Sequence, residues 1–222
     1  MAAVKIAIGM VTCDRRQFGK QDYLGRTLAS LDASGFFHQI EGDEFKVFDA
    51  GYGESRFGVA ANFHRAFDWI ANQPGDVDWG IVLEDDVEFC RNWLPRAKQW
   101  LRGVAPRDGA FYSFCTNVAF TADPANIANG WTEWPWEIHW GGMCQAYKKS
   151  WLRMYLASDE RAACDALGLS VDIHTARFVG RTGQKIYAHC PNLARHIAHD
   201  AHPEYPWFPG VEYDAMSSEQ TK

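Results

Sequence analysis

The chain has 222 residues, a formal net charge of -6, 47% hydrophobic residues and 23% charged residues. These values are those of an ordinary folded domain, so they exclude an intrinsically disordered chain. The acidic balance disfavours broad electrostatic binding to nucleic acid or to an anionic membrane. No apolar run reaches the roughly 20 residues of a membrane span. Because the first residues also lack the basic region of a signal peptide, we expect a cytoplasmic protein.

In the first half of the chain, apolar runs alternate with amphipathic segments. Residues 4–11 predict a buried strand followed by a polar loop, and Asp22 can cap a helix that Gly35 ends. A second strand is predicted at residues 45–48. A second helix is predicted to follow Gly58, because apolar residues recur there at helical spacing.

The second half continues the same alternation. The apolar run at residues 79–83 predicts the best-defined buried strand. Further helices and strands are predicted at residues 93–101, 111–114, 143–147 and 150–156. This order predicts an α/β fold with a central mixed, mostly parallel sheet flanked by helices. No linker divides the chain, so we expect one domain over residues 1–222, with a tail at 203–222.

Six cysteines are scattered through the chain without any CxxC pair. Most of them have apolar neighbours, which favours buried reduced thiols over a disulfide framework.

Three consecutive carboxylates, Glu84, Asp85 and Asp86, directly follow the strand at residues 79–83. Adjacent carboxylates repel one another unless a cation lies between them. Mg²⁺ and Mn²⁺ bind carboxylate oxygens, and they usually take one or two from the protein and the rest from water and substrate phosphates. In open α/β sheets, ligands bind at the carboxyl ends of the strands. A metal site is therefore one interpretation, and a solvated acidic turn is the other.

The region around this acidic cluster resembles a known enzyme family. The pattern GVAAN at residues 58–62 and then DWGIVLEDDVEF at residues 78–89 resemble the donor-binding half of GT-A type glycosyltransferases. In that family a short acidic DxD motif follows a core strand, and here Glu84 occupies its first position. The resemblance implies that Asp86 binds Mn²⁺ or Mg²⁺ directly and that Glu84 and Asp85 contact a nucleotide-sugar donor, with a UDP-sugar favoured.

Further donor contacts are implied by the same resemblance. The opening strand ends at Thr12 and is followed by Arg15 and Arg16, which is similar to the first nucleotide-contacting loop of the family. Guanidinium groups match phosphate oxygens well, so Arg15, Arg16 and Arg56 are expected near the donor diphosphate. Asn62 stands where the family makes a donor contact.

A later region, residues 171–197, resembles the part in which inverting members carry the catalytic base and a histidine that completes the metal site. Within it, PNLARH at residues 191–196 is similar to N-acetylglucosaminyltransferases of type IV and to bacterial lipopolysaccharide glycosyltransferases. The resemblance implies that Asp172 is the base and that His196 is the second metal ligand. From the residues alone, Asp172 is equally suited to capping a helix that begins near Ile173.

The acceptor side is expected between these two regions. Residues 141–152 resemble the glycine-containing segment of the family near the acceptor, which implies acceptor contacts at Gly141 and Gly142. The preceding segment, residues 131–140, holds four of the 10 tryptophans. Indole faces stack on sugar rings, so this segment predicts an acceptor platform, and a lid that folds back on the core is the alternative. The three expected platform residues are Trp134, Trp136 and Trp140.

Taken together, these segments imply a single GT-A domain with a donor half at about residues 1–90 and an acceptor and catalytic half at about residues 91–200. The implied enzyme is a small phage or bacterial metal-dependent hexosyl- or N-acetylhexosaminyltransferase with inverting chemistry favoured. Its acceptor is a glycan, a lipid-linked sugar, a protein or modified DNA, and the sequence does not indicate an oligomeric state.

Two alternatives remain open at this point. One is a protein of the same fold that binds a carbohydrate or nucleotide sugar without reacting. The other is a metal hydrolase that uses a histidine and aspartate cluster, which the β-rich N-terminal half disfavours. The residues of this cluster are His189, His196, His199, Asp200 and His202.

Overall fold

The computed structural model describes residues 5–12, 22–51, 58–116, 123–139, 141, 143–167 and 170–197. In the first part of the chain, strands and helices alternate as the sequence predicts. These elements are β1 (Lys5–Thr12), α1 (Tyr23–Ala33), α2 (Phe36–Gln39), β2 (Glu44–Asp49), α3 (Val59–Ala71), β3 (Val77–Glu84) and β4 (Val87–Phe89).

The second part of the chain adds helices to both faces and further strands to the sheet. These elements are α4 (Trp93–Gly103), β5 (Gly109–Ser113), α5 (Pro124–Asn129), β6 (Trp131–Trp134), a 3-10 helix (Trp136–Ile138), β7 (Cys144–Lys148), α6 (Lys149–Leu156), α7 (Asp159–Leu167), α8 (Val171–Thr182), β8 (Lys185–His189) and β9 (Ala194–His196).

Seven strands form one mixed sheet in the order β2-β1-β3-β7-β5-β8-β6. β1 pairs in parallel with β2 and β3, and β5 pairs in parallel with β8. β7 runs antiparallel to both β3 and β5, and β6 runs antiparallel to β8. Five of the seven strands therefore point the same way, which confirms the predicted mixed, mostly parallel sheet flanked by helices. β4 and β9 form a separate two-stranded ladder.

Strand β1 is buried on both of its faces, as its uninterrupted apolar sequence predicts. Ile6, Ile8 and Met10 belong to the apolar cluster that α4 covers, whereas Ala7 and Val11 belong to the cluster under α3 and α6. Alternate residues of a strand point to opposite faces, so β1 contributes to both halves of the core. β1 is therefore an inner strand of the sheet, with β2 and β3 on its two sides.

The ends of the first helix agree closely with the sequence. The side chain of Asp22 accepts a hydrogen bond from the backbone N–H of Gly25 at 3.0 Å, as expected of a helix N-cap. α1 ends at Ala33, two residues before Gly35, which has a φ of 82° and precedes the short helix α2. Gly35 therefore ends α1 as predicted, but the chain turns at once into another helix.

Helix α3 packs closely against the sheet at Gly80 of β3. A Cβ atom on Gly80 would lie 2.1 Å from Cγ2 of Ile70, so only glycine allows this approach. This contact holds the last turn of α3, where Ile70 lies, against the middle of β3. The first turn is held at the carboxyl ends of β1 and β2 by the hydrogen bonds of Asn62. No helix within the described ranges is long and apolar enough to cross a membrane.

Candidate functional site

The carboxyl ends of β1 and β3 meet at one edge of the sheet. Val11 is in register with Glu84, and the Thr12 hydroxyl donates a hydrogen bond to Oδ2 of Asp85 at 2.7 Å. A cleft of about 340 Å³ opens at this edge, and its lining includes Thr12, Asn62, Glu84 and Asp85. The structure thus brings four of the residues expected at the donor to one cleft.

The acidic turn is held in place by side chains of α1. The Thr27 hydroxyl donates to the backbone carbonyl of Asp85 at 2.9 Å and accepts from the backbone N–H of Val87 at 3.0 Å. The hydroxyl of Ser30 accepts from the backbone N–H of Phe89 at 2.8 Å. Asp85 and Asp86 are each 2% exposed, so the solvated-turn interpretation is wrong for these two carboxylates.

Asp86 and His196 lie side by side although 110 residues separate them in sequence. The ladder between β4 and β9 pairs Val87 with His196, and the backbone N–H of Ile197 donates to the carbonyl of Asp86 at 2.8 Å. Nε2 of His196 lies 3.1 Å from Oδ2 of Asp86, and both side chains are buried. The two residues expected as metal ligands are therefore in direct contact.

This pair suits a divalent cation by its chemistry and by its spacing. Carboxylates suit Mg²⁺ and Mn²⁺, and imidazole is a common ligand of first-row metals. Two ligand atoms at about 2.1 Å and at right angles around one ion are about 3 Å apart, which matches the observed separation. No group of three or more His, Cys, Asp or Glu residues in the described part of the chain could hold a metal. A two-residue site is what Mg²⁺ uses when substrate phosphates and water supply its other ligands.

A thiol lies close to this pair but has different chemistry. Burial raises the pKa of Cys115 to about 12, so its thiol stays protonated and is a poor metal ligand. All five cysteines within the described residues are reduced thiols and are buried, as predicted. The sixth, Cys13, lies outside the described residues.

Asn62 is buried at the start of α3 and has protein partners on both sides of its amide. Its Nδ2 donates to the backbone carbonyls of Phe48 at 2.7 Å and Thr12 at 3.2 Å. Its Oδ1 accepts from Arg65 at 3.0 Å. Asn62 therefore ties the ends of β1 and β2 together, and it borders the cleft from that position.

Asp172 lies in the first turn of α8. The helix begins at Val171 with Ser170 as its N-cap residue, so the interpretation of Asp172 as the N-cap is wrong. Oδ2 of Asp172 accepts a hydrogen bond from the backbone N–H of Gly141 at 2.5 Å. Gly141 has a φ of 86°, which a residue with a Cβ atom rarely adopts, and this backbone conformation aims its N–H at the carboxylate.

A short backbone segment connects Asp172 to the end of β3. The backbone N–H of Glu84 donates a hydrogen bond to the carbonyl of Met143 at 2.9 Å. Gly141, two residues before Met143, donates its backbone N–H to Asp172. The chain between Gly141 and Met143 therefore links the Asp172 carboxylate to the end of β3. Burial is the largest cause that raises the pKa of Tyr147, and the charges of Asp172 and Glu84 both add to it.

Sequence reasoning missed a buried polar network behind Gly141. The amide nitrogen of Gln145 donates to the Gly141 carbonyl at 2.8 Å and lies 2.9 Å from Nε2 of His139. The Tyr147 hydroxyl donates to the Gln145 side-chain oxygen. Burial lowers the pKa of His139 to about 4, while Asp172 acts in the opposite direction. A glutamine on a buried apolar strand was the available signal, because such an amide needs partners.

The tryptophans of the expected acceptor platform differ in their exposure. Trp134 is 1% exposed, and its ring packs against His139 with centroids 4.6 Å apart. The prediction that Trp134 offers a face to an acceptor is therefore corrected, because its side chain belongs to the core. Trp136 is 38% exposed on the 3-10 helix, so its ring remains accessible. The remaining expected site residues lie outside the described residues, and these are Arg15, Arg16, Arg56, Trp140 and Gly142.

Several solved structures are similar to this protein at low sequence identity. A glycosyltransferase involved in the glycosylation of the major capsid of PBCV-1 is 12% identical, with a TM-score of 0.51 over 96% of this chain and 98% of that one. The galactosyltransferase LgtC, in complex with donor and acceptor sugar analogs, is 14% identical over 97% and 96% of the two chains, with a TM-score of 0.49. The catalytic domain of Drosophila β1,4-galactosyltransferase 7 in complex with xylobiose is 11% identical over 97% and 79%, with a TM-score of 0.48.

The match to the viral enzyme over nearly the full length of both chains shows the architecture. The chain has the α/β fold of GT-A type glycosyltransferases, as its motifs indicated. No protein-family model and no curated protein sequence matches it.

Proposed function

We propose that this protein is a metal-dependent glycosyltransferase that moves a sugar from a nucleotide-sugar donor to an acceptor hydroxyl. The observation that carries the proposal is the buried contact between Asp86 and His196, at the carboxyl edge of the sheet and directly beyond the acidic turn. The fold shared with the viral glycosyltransferase supports the same conclusion.

In this proposal, the metal is Mn²⁺ or Mg²⁺, held by Asp86 and His196, and the donor is a UDP-sugar. When bound, the ion would neutralise the charge that develops on the departing diphosphate. Thr12 and Asp85 shape the cleft for the donor, since their hydrogen bond fixes the wall between β1 and β3. The arginines at positions 15, 16 and 56 carry the charge that suits the diphosphate.

Asp172 is proposed as the base of an inverting reaction. It takes the proton of the acceptor hydroxyl while that oxygen attacks the sugar carbon on the face opposite the diphosphate. The hydrogen bond from Gly141 engages Oδ2 of Asp172 and so fixes the direction of the carboxylate. Because Gly141 is itself held by Gln145, the base is supported by a buried strand of the sheet.

The acceptor is proposed to approach from the side of Gly141 and Gly142, with Trp136 and Trp140 offering indole faces. A glycan, a lipid-linked sugar, a protein and a modified DNA base are the acceptor classes to compare. Each of them presents a hydroxyl to the base.

The proposal is tested by incubating the purified protein with a panel of nucleotide sugars and Mn²⁺ and measuring release of the nucleoside diphosphate. We expect slow release without acceptor and its loss in Asp86→Ala. Asp32→Ala, an exposed aspartate of α1, is the matched control and should keep the wild-type rate. The proposal fails if no nucleotide sugar binds or turns over, with or without metal. Tight binding without metal dependence or turnover would instead indicate a non-catalytic binding protein.

A further inference from the structure

A groove separate from the donor cleft lies between the 3-10 helix, α7 and α8. Its volume is about 1070 Å³, and its lining includes Trp136, Glu160, His174, Arg177 and Arg181. Of these, only Trp136 was expected at a binding site from the sequence. The groove combines one accessible indole ring with several charged or polar side chains.

The indole ring of Trp136 packs against α8 at Gly180. A Cβ atom on Gly180 would lie 2.5 Å from Cε2 and 2.7 Å from Cδ2 of the indole. These are the two fusion atoms of the ring system, so only an approach to the ring face brings one point near both. One face of Trp136 therefore lies on the backbone of α8, and the side chain is still 38% exposed. Glycine destabilises a helix relative to alanine, and here its lack of a side chain admits the indole.

The groove is lined by a buried carboxylate with two polar partners, one of them exposed. Glu160 is buried and pairs with Arg181 and with Nδ1 of His174, which is 3.3 Å away. Nε2 of His174 is also buried, and within the described ranges it has no hydrogen-bond partner. A buried polar atom left in this state is costly.

Arg177 lines the same groove and is exposed. Among the described residues, its guanidinium forms no salt bridge and no hydrogen bond, in contrast to Arg181. A guanidinium offers five N–H donors, which suit the hydroxyl and carboxylate oxygens of sugars. The groove thus presents a flat apolar ring beside polar groups that can act as donors and acceptors.

The groove lies along the same helix as the proposed base, although Asp172 is not among its lining residues. Gly180 is eight residues after Asp172, so it lies about 12 Å farther along α8 and about 80° round the helix axis. That separation exceeds one sugar ring and suits an oligosaccharide whose reacting end lies at Asp172. We propose that this groove binds further sugar units of an oligosaccharide acceptor, with one pyranose ring stacked on Trp136 and its oxygens near Arg177. This inference rests on the proposed glycosyl transfer, and it names the substrate class as an extended glycan.

The test measures glycan binding without donor or metal, on an array of neutral and uronic-acid-containing oligosaccharides, followed by calorimetry on each glycan that binds. We expect Trp136→Ala and Arg177→Ala each to weaken binding about tenfold. Trp136→Phe, which keeps a flat ring, should lose less. The matched controls are Ile138→Ala, an exposed residue of the same 3-10 helix, and Arg102→Ala, an exposed arginine of α4.

Each result of this experiment decides the inference. Selective loss in the two groove variants supports it, and a larger loss for acidic glycans in Arg177→Ala identifies a sugar carboxylate as its partner. The inference is overturned if the wild-type protein binds no glycan on the array, or if both groove variants bind as tightly as the controls. Asp86→Ala should bind these glycans as the wild type does, so a failure of donor turnover is distinguishable from a failure of this groove.

Discussion

At the candidate metal site, one ladder of three residue pairs decides which side chains meet. β4 and β9 pair Val87 with His196, and this pairing sets the imidazole against the carboxylate of Asp86. The acidic cluster was visible in the sequence because three carboxylates follow a buried strand. Its histidine partner was implied only by resemblance, since nothing local in the chain relates residues 110 positions apart.

Replacing His196 should raise the Mn²⁺ requirement of the protein more than it lowers its free energy of unfolding. For His196→Ala we expect the Mn²⁺ concentration for half-maximal diphosphate release to rise by at least about tenfold, because one of the two proposed protein ligands is lost. The measurement is a metal titration of donor turnover. His38→Ala, in the exposed part of α2, is the control. An unchanged metal requirement in His196→Ala would remove His196 from the site.

The role of Asp172 is separable from donor binding. Asp172→Asn keeps an oxygen that can accept a hydrogen bond from Gly141 but removes the proposed base, so we expect transfer to fall by about 10² to 10⁴. Donor affinity, measured by calorimetry with Mn²⁺, should remain at the wild-type value. Full transfer activity in this variant would exclude Asp172 as the base.

Two buried histidines make the stability of the protein dependent on pH. Burial lowers the pKa of His139 and of His189 to about 4, whereas an exposed histidine titrates near 6.5. The unfolded chain therefore binds more protons between these values, so stability is full above about pH 6.5 and falls as the pH drops towards 4.

The contribution of His189 is measurable by substitution. His189→Asn keeps a donor for the Pro191 carbonyl and cannot be protonated. Between pH 7.5 and 4.5 we expect the variant to lose about 2 to 3 kcal/mol less unfolding free energy than the wild type does, measured by urea denaturation. Identical pH dependence in both proteins would show that His189 does not titrate on unfolding.

At the scale of elements, α3 is positioned by its contact with Gly80. For Gly80→Ala we expect a loss of about 1 to 3 kcal/mol of unfolding free energy, because the new methyl group displaces Ile70. Ile70→Ala in the same chain should make the Gly80 substitution less harmful. Gly103→Ala, where a Cβ atom meets nothing within 4 Å, is the control. Equal effects of the Gly80 and Gly103 substitutions would contradict the packing described for α3.

The sequence predicted the elements that have strong local patterns. β1 and β3 are continuous apolar runs, and α3 has apolar residues at helical spacing, so their positions follow from burial alone. The three-residue strands β4 and β9 are too short to show a periodic pattern of apolar residues. They form because the chain near residue 195 comes back beside the acidic turn and pairs with it. The network of Gln145 and His139 was missed for the same reason, since its partners are set by tertiary contacts.

At the scale of the whole molecule, a single sheet gathers residues from both predicted halves of the chain. β1, β2 and β3 come from the first half, whereas β5, β6, β7 and β8 come from the second. The break in parallel order at β7 places Met143 beside Glu84, so the proposed donor and acceptor sides share a border. Sequence motifs indicated both sides, but only the order of the strands in the sheet shows that the two sides are adjacent.

The tryptophans of residues 131–140 also show that the sequence does not reveal which way a side chain points. Four tryptophans within ten residues suggested one surface, but Trp134 is a core residue and Trp136 lies on the groove along α8. The pattern predicted aromatic stacking, whereas the direction of each ring depends on which element follows Pro135. Burial of one indole and exposure of the next therefore became known only from the packed structure.

The most direct measurement of the central claim is the affinity for UDP-sugars with and without Mn²⁺, by calorimetry, for the wild-type protein and Asp86→Asn. We expect the wild type to bind at least one UDP-sugar with Mn²⁺ and to lose that binding in a chelator. Asp86→Asn should show no Mn²⁺-dependent binding, because it lacks the carboxylate proposed to hold the ion. Equal binding by both proteins in the presence of chelator would contradict a metal-dependent donor site at the end of β3.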